Sequence, residues 1–213
     1  HWHGTAAALL GLAHWISGEL EPAQTFHAEG VASFERAGDF ALAITSAYHD
    51  AELLKARGRL VEAGQRYERS LHLALRQSDP ATPAAANLHF GLSELACEHN
   101  DLESAATHLR AGEALGVFPP RTPYRHLLAQ ARLHQCQGDL VGALELLDEA
   151  ERLYIRGAVP DVRPVAAWKA RLRLAQGRLE QALDWARAQQ LAVDDALSYR
   201  REYEHITLAR VLM

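Results

Sequence analysis

The fold of this chain is predicted by one run of ten residues, Gly138-Asp139-Leu140-Val141-Gly142-Ala143-Leu144-Glu145-Leu146-Leu147. It opens with glycine, the residue that most readily takes the left-handed backbone with which a helix ends. A leucine two residues later seats the next helix against the first, and an alanine five residues after the glycine begins an apolar stripe. The run therefore indicates two helices joined by a tight turn.

Four other places in the chain repeat this pattern. Their turn residues are Gly18, Gly58, Asn100 and Gly177, so the five turns are 40, 42, 38 and 39 residues apart. A constant spacing of this size is typical of stacked helical repeats. We therefore expect an all-α fold, a right-handed superhelix of antiparallel helix hairpins of the tetratricopeptide (TPR) kind, with about eleven helices.

Small residues recur at two matching heights in every copy. Because small side chains let two helices cross closely, they predict the contact within each hairpin. The first set lies five residues after each turn: Ala23, Ala63, Ala105, Ala143 and Ala182. The second set lies seven residues before each turn: Gly11, Ala51, Ser93, Ala131 and Ala170.

Helix boundaries follow from the turns and from proline-containing breaks at 79–80, 116–121 and 157–160. We expect the last helix to be capped by residues 194–198 and to run to Met213. No run of alternating apolar and polar residues predicts a strand. The first helix has no start signal, and the last keeps an unpartnered apolar side. We therefore expect a single repeat domain over 1–213 that is part of a longer protein. The other predicted helices are 1–17, 20–36, one carrying Ala43 to Leu54, 60–76, 83–99, 102–115, 122–137, 140–156 and two within 161–189.

Composition excludes several classes of protein. The chain has 213 residues and a net charge of -5 without a basic run, which argues against nucleic-acid binding by this segment. No run of 18 uncharged apolar residues predicts a membrane span, and no signal sequence opens the chain. Two cysteines are too few for a disulfide framework and fit a reducing compartment, so we expect a cytoplasmic protein.

The sequence contains no motif that predicts catalysis. Its two lysines, Lys55 and Lys169, do not follow a glycine, so a phosphate-binding loop is absent, and neither His-Glu-x-x-His nor Cys-x-x-Cys occurs. The twelve histidines are scattered along the chain, and we predict no metal or cofactor in this segment. Cys97 and Cys136 lie on the first helices of adjacent units; we interpret them as small buried hydrophobic residues, the alternative being a pair that approaches across the units.

A stack of helix hairpins offers a concave groove lined by the first helix of each unit. Counting back from each turn in a TPR-like register predicts which side chains face it. The groove would be acidic near the second and third units and basic near the fourth and fifth, with Tyr48 and Phe90 as flat apolar surfaces. Such a surface suits a small polar molecule, a peptide or another domain, although charges on a helix are more often simply solvated. The register also includes Lys55, Cys97, Leu128, Gln135, Pro164, Ala167 and Leu174, and the candidate binding residues are Trp15, Thr45, Tyr48, Glu52, Asn87, Phe90, Glu94, Arg125, Arg132 and Arg171.

Four segments carry a resemblance to a known family. The most specific lies within 194–212, where Ser-Tyr-x-Arg-Glu-Tyr-Glu occupies 198–204; the others are 91–95, 147–154 and 160–167. They resemble the repeat region of large ATP-dependent bacterial transcription regulators of the LuxR family, the MalT type. The resemblance covers essentially the whole chain.

The resemblance implies a parent protein with three parts: a nucleotide-binding domain, this array and a C-terminal helix-turn-helix that binds DNA. In such a parent the array receives a small-molecule inducer, or a peptide or protein partner, and biases an ATP-bound homo-oligomer. We therefore expect a non-catalytic domain for signal sensing and protein interaction, with no membrane partner. The alternative is a free-standing TPR adaptor or a structural self-association module without a small ligand.

Overall fold

A computed structural model describes residues 2–76, 83–116, 122–154 and 159–213. Within these ranges the chain forms eleven α-helices and one 3-10 turn, and the described residues contain no strand. The all-helical prediction is confirmed, and most of the three proline-containing breaks lie outside the described residues. The helices are α1 (Trp2–Ser17), α2 (Leu20–Arg36), α3 (Phe40–Ala56), α4 (Leu60–Leu75), α5 (Pro83–Glu98), α6 (Leu102–Ala114), α7 (Thr122–Cys136), α8 (Leu140–Leu153), α9 (Val165–Ala175), α10 (Leu179–Ala188) and α11 (Glu202–Leu212).

The helices form hairpins that stack on one another. The two helices of each hairpin contact each other, for example α1 with α2 and α7 with α8. In addition, α3 contacts α5, α5 contacts α7, and α9 contacts α11, so first helices of successive units lie side by side. This is the arrangement of a TPR-like helical superhelix. No helix among the described residues is both long and apolar enough to cross a lipid bilayer.

The five predicted turns have the left-handed backbone that the sequence pattern requires. Their φ angles are 82° at Gly18, 72° at Gly58, 58° at Asn100, 84° at Gly138 and 74° at Gly177. After the turn, an aspartate caps the next helix where one is present. Asp139 accepts a hydrogen bond from the Gly142 amide, and Asp101 accepts one from the Ser104 amide. Turn and cap together satisfy backbone groups that a helix end leaves unpaired.

The small residues at matching heights are buried in every unit. All five alanines after the turns are 0% exposed, and the partners before the turns are buried as well. In the third unit the crossing is close enough for the Ser93 hydroxyl to donate to the Ala105 carbonyl at 2.8 Å. In the first unit a Cβ on Gly11 would lie 2.8 Å from the His27 ring. The predicted helix contact is therefore confirmed.

His27 is a buried polar residue in the first hairpin. Its side chain is 0% exposed, and neither ring nitrogen forms a hydrogen bond with another described residue. The ring instead meets the rings of Trp15 and His49 edge-on. Because burial disfavours the charged imidazolium, the pKa of His27 is lowered to about 4. The folded protein therefore holds this side chain neutral at pH 7.

The start of the last helix differs from the prediction. Helix α11 begins at Glu202 after the 3-10 turn Tyr199–Arg201, so residues 194–198 do not cap it. The carboxylate of Asp195 is used within the preceding loop, where it accepts the Ala192 amide at 3.0 Å and lies 3.3 Å from His205. A carboxylate engaged by its own loop is not available to a helix N-terminus.

The two cysteines approach each other while remaining free thiols. Cys97 is buried on α5, and the Cys136 thiol of α7 lies 3.9 Å from the Cys97 carbonyl oxygen. Burial, followed by the neighbouring Cys136, raises the pKa of Cys97 to about 12. The thiol is therefore held protonated and packs as a small hydrophobic group, and the two interpretations of this pair hold together.

Enlarging a crossing residue should destabilise the fold. Ala143 is 0% exposed where α7 and α8 cross, so Ala143→Leu should lower the free energy of unfolding by about 1–3 kcal/mol through overpacking, as should Ala63→Leu. The control is Val141→Leu on the same helix, because Val141 is 57% exposed. Urea denaturation measures both. Equal stability of Ala143→Leu and the parent would contradict the assigned helix crossing.

Burial of neutral His27 should make the fold sensitive to mild acid. The unfolded chain binds a proton at the ordinary histidine pKa of 6.5, whereas the folded chain does so only near 4, so stability falls as pH drops below 6.5. His27→Phe removes this proton and should gain about 2 kcal/mol relative to the parent between about pH 7 and pH 5.

His89 contributes equally to parent and variant, since its pKa is likewise lowered to about 4 by burial and by His108. Its effect therefore cancels in the comparison. Exposed His99 provides the control substitution, His99→Phe. Chemical denaturation at several pH values measures the effect. A stability difference between His27→Phe and the parent that does not change with pH would contradict the assignment.

Candidate functional site

A cavity of about 220 Å³ lies on the inner side of the array. Its walls come from first helices of all five units, from the segment before α9, and from α11. The lining residues are Trp15, Tyr48, Glu52, Lys55, Ala56, Glu94, Tyr124, Arg125, Leu128, Arg132, Leu153, Tyr154, Val159, Pro160, Asp161, Val162, Arg163, Trp168 and Tyr203.

Six of the ten candidate binding residues line this cavity. The structure brings them together from α1, α3, α5 and α7, as the superhelix predicts. Of the other register residues, Lys55 and Leu128 line the cavity, whereas Cys97, Gln135, Pro164, Ala167 and Leu174 do not. Whether these side chains bind a ligand stays a prediction. The predicted residues at the cavity are Trp15, Tyr48, Glu52, Glu94, Arg125 and Arg132.

Two of the remaining predicted residues lie on α5 away from the cavity. Phe90 is 1% exposed, and its ring packs so closely over the backbone of Gly112 that a Cβ there would lie 2.5 Å away. Phe90 therefore belongs to the core, and it does not supply the flat groove surface that we predicted. Asn87 is partly buried, and its side-chain oxygen has no hydrogen-bond partner among the described residues.

Thr45 and Arg171 also lie outside the cavity wall. Thr45 is exposed, and its hydroxyl donates to the Ala41 carbonyl at 2.9 Å within its own helix. Arg171 turns towards α11, where its guanidinium lies 3.7 Å above the Tyr203 ring and donates to the Thr207 hydroxyl at 2.7 Å. Arg171 therefore fastens the last helix to the array.

Several lining residues were not predicted from the sequence. Tyr124 and Trp168 lie one position away from register residues, so a wider inward face of each helix would have included them. Tyr154 and residues 159–163 come from the connection between α8 and α9, which has no place in a helical register. The only sequence signal there is a proline-rich segment within the resemblance noted above.

The acidic wall is organised around Lys55. Its side chain is 5% exposed, and its ammonium lies 3.0 Å from the carboxylates of both Glu52 and Glu94. The Tyr67 hydroxyl also donates to Glu52. Burial raises the pKa of Glu52, but the Lys55 charge and the Tyr67 hydrogen bond outweigh it and leave that pKa lowered.

Burial alone would lower the pKa of Lys55, but Glu52 and Glu94 reverse the effect and raise it. Lys55 and Glu52 therefore remain charged near neutral pH. A general acid or base works best with a pKa near the operating pH. These groups consequently form a structural ion pair and not a proton-transfer site.

The basic wall uses Arg132 in a second network. Its guanidinium lies 2.6 Å from the Glu98 carboxylate and donates to the Gln135 side chain at 3.4 Å. Gln135 in turn accepts the indole N–H of Trp168 at 2.7 Å. This chain of contacts connects α5, α7 and α9, and it orients one aromatic wall of the cavity.

Arg125 is arranged differently from the other charged residues of the cavity. Its guanidinium carbon lies 3.9 Å above the centre of the Tyr48 ring, a cation–π contact between α7 and α3. It donates no hydrogen bond to any side chain or carbonyl in the described ranges. Burial raises the pKa of Tyr48, so the ring stays neutral beneath the guanidinium.

A contact joins the first unit and the segment before α11 beside the cavity. The indole N–H of Trp15 donates to the Tyr199 hydroxyl at 3.1 Å across 184 residues. Val159 and Tyr199 also pack against the buried cluster of Trp15, Ala23 and Leu53. The first unit is therefore in contact with the segment that precedes α11.

Among the described residues, no group of three or more histidine, cysteine, aspartate or glutamate side chains is arranged to hold a metal ion. The polar groups of the cavity are instead cations, paired carboxylates and aromatic hydroxyls. Such a set can bind an organic molecule through hydrogen bonds, charge and ring stacking.

Comparison with known sequences identifies one family. A family model described as "MalT-like TPR region" matches residues 1–213. Among curated protein sequences, none matches the chain.

Solved structures share the fold at low sequence identity. A thermophilic TPR protein from Thermus thermophilus is 17% identical with a TM-score of 0.68, and the match covers 99% of this chain and 100% of that one. Kinesin light chain TPR-like repeats from Podosopora anserina are 19% identical with a TM-score of 0.54, covering 90% and 97%. A single-substitution variant of those repeats is 17% identical with a TM-score of 0.55, covering 88% and 96%. These likenesses show the TPR fold.

Replacing the buried Lys55 should reduce the stability of the fold far more than replacing Lys169. Lys55→Met leaves Glu52 and Glu94 without their cation and should lower the free energy of unfolding by about 2–3 kcal/mol. Lys169→Met is the matched control. Although Lys169 also bridges two carboxylates, those of Asp148 and Glu151 are 55% and 49% exposed, so its loss should cost about 0–1 kcal/mol. Urea denaturation compares them, and equal losses would contradict the structural role of Lys55.

Proposed function

Because this chain belongs to the family of MalT-like TPR regions, we propose that it is the non-catalytic sensing and interaction domain of an ATP-dependent, LuxR-family transcription regulator. A small-molecule inducer occupies the inner cavity, or a regulatory protein binds the concave surface around it. Nucleotide binding and DNA binding reside in other domains of the parent. We place the parent in the cytoplasm, where transcription takes place.

One observation carries the proposal: the cavity is assembled from both ends of the array. A cavity of this kind needs about 10–15 Å³ of volume to hold a single water molecule. The cavity of this protein has a volume of about 220 Å³, and six aromatic residues line it, including Trp15. A volume of this size accommodates a small organic molecule. Aromatic walls and a few fixed charges are the usual composition of a ligand site.

The same construction explains how occupancy acts on the rest of the protein. A ligand shifts a conformational equilibrium only by its differential affinity for the two states. An occupant of this cavity touches residues of several units at once, so it binds best when those units are together. Binding therefore favours the closed array over an open one, and a neighbouring domain attached to either end experiences the difference.

A second candidate function is supported by exposed apolar residues of α1. Leu9, Leu10 and Ile16 are 61%, 46% and 39% exposed, and they lie on one helix. Exposed apolar side chains grouped in this way mark interaction surfaces. A structural self-association module or adaptor would use this face and would leave the cavity empty.

Filling the cavity should abolish ligand binding without unfolding the protein. Ala56 is exposed and lines the cavity at the end of α3. Ala56→Trp should therefore block a ligand while changing stability by less than about 0.5 kcal/mol. Ala41→Trp, at an exposed position of the same helix outside the cavity, is the matched control. Thermal-shift screening against sugars, peptides and metabolites identifies compounds that bind, and calorimetry of both variants locates them.

The outcomes separate the two candidate functions. A compound that binds the parent and Ala41→Trp but not Ala56→Trp supports the sensor. Concentration-dependent association in light scattering, without any compound that stabilises the chain, supports the self-association module. Equal binding to all three proteins would contradict the cavity as the ligand site.

A further inference from the structure

We infer that the cavity takes a small molecule with one carboxylate on an aromatic or otherwise flat apolar body, and that Arg125 binds the carboxylate. The inference rests on the proposed function, since it names the chemical class of the sensed ligand. The inference is based on a comparison of the charged side chains of the cavity, some of which form ion pairs within the protein while Arg125 does not.

Of the three carboxylates of the cavity wall, Glu52 and Glu94 are paired with a cation, and the third is Asp161. Glu52 and Glu94 share Lys55, each at 3.0 Å. The cations Arg132 and Arg163 both approach Glu98, at 2.6 and 3.9 Å. Each of these paired groups lies within 4.0 Å of an opposite charge supplied by the protein itself.

Arg125 is the exception among the four cavity-lining cations. Within the part of the chain that the structure describes, it has no carboxylate within 4.0 Å and no hydrogen bond. Its one close partner is the Tyr48 ring, 3.9 Å beneath it. A stacked guanidinium keeps the N–H donors along its edge available. A carboxylate can accept two of them in parallel, which is the geometry that arginine prefers.

The stacking also fixes the position of the guanidinium. Tyr48 is on α3 and Arg125 on α7, so the contact holds the side chain across the intervening α5. Because the side chain is already ordered, binding an anion costs less conformational entropy than it would at a free arginine. This arrangement is pre-organised for an anionic group.

Aromatic rings surround the remaining space. Trp15, Tyr124, Trp168 and Tyr203 line the cavity from four different helices, and Leu128 adds an aliphatic contact. The Trp168 ring is held by its bond to Gln135. Rings in such walls stack in offset or edge-on fashion against a flat body. The ligand body is therefore aromatic or flat and apolar.

The local charge favours a single negative charge on the ligand. Glu52 and Glu94 together carry one more negative charge than Lys55 neutralises. Arg125 lies close enough to Glu52 to contribute to its lowered pKa, after burial and the contacts of Lys55 and Tyr67. This residual charge repels a dianion at Arg125 more strongly than a monoanion. A carboxylate therefore fits better than a phosphate monoester.

Four related probes test the inference: 3-phenylpropionate, its uncharged amide, the cation 2-phenylethylamine, and phenyl phosphate. Calorimetry, with tryptophan fluorescence from Trp15 and Trp168 as a second readout, measures binding to the intact chain. We expect 3-phenylpropionate to bind at least about tenfold more tightly than the other three, because only it offers a monoanionic acceptor pair.

The expected preference should depend on Arg125. Arg125→Gln should remove the preference for the carboxylate, leaving 3-phenylpropionate no tighter than the amide. Arg110→Gln, at an exposed position of α6, should retain it. Circular dichroism and retained binding of the amide show that Arg125→Gln is folded and that its cavity is intact.

Several results would overturn the inference. The amide, the amine or phenyl phosphate binding as tightly as 3-phenylpropionate would do so, as would an Arg125→Gln variant with the parental preference. In those cases loss of the binding in Ala56→Trp would still support a sensing cavity. If none of the four probes binds, the ligand class is wrong, and the sugar, peptide and metabolite panel decides the sensor function separately.

Discussion

The close approach of the two helices in every hairpin is the constraint on which the rest of the structure depends. Alanine or a similarly small residue occupies both sides of each crossing, and the five alanines after the turns have no exposed surface. Any larger side chain at these points would push the helices apart. In the third unit the distance is short enough for a side chain of one helix to bond the backbone of the other, from Ser93 to Ala105. The crossing therefore fixes how each first helix is rotated about its axis.

This rotation determines which residues face the cavity. The residue that follows the crossing residue points about 100° further around the helix, towards the inner side of the array. In three successive units that residue is charged and lines the cavity: Glu52, Glu94 and Arg132. The charges on the wall are thus a direct consequence of where the small residues lie. Glu52 and Glu94 come close enough to share a single lysine because their helices α3 and α5 are in contact.

Local patterns in the sequence were sufficient to predict the turns, the helix crossings and much of the inner face. Each of these features depends on residues within one hairpin. The same register could not predict whether a side chain faces the groove or enters the core, because this depends on the space left by the neighbouring helix. Tyr48 and Phe90 occupy equivalent positions, yet Phe90 is buried since Gly112 leaves room for its ring. The bond from Trp15 to Tyr199 joins residues 184 apart, and no periodicity links them. This contact between the two ends of the array accordingly depends on tertiary structure and has no counterpart in the local sequence pattern.

The position of the cavity makes it sensitive to the relation between the fourth and fifth units. First helices α3, α5 and α7 contact each other in sequence, whereas α9 packs against the fourth unit through α8. The cavity lies beside this junction, with Arg125 on α7 and Trp168 on α9 among its walls. Protein contacts already span it, among them Trp168 to Gln135 at 2.7 Å and Lys169 to Asp148 at 2.6 Å. Under the proposed function, an occupant that touches both walls would add a further connection at the same place. It would then favour the arrangement of the fourth and fifth units to which it binds more tightly, and this differential affinity is how a ligand shifts a conformational equilibrium.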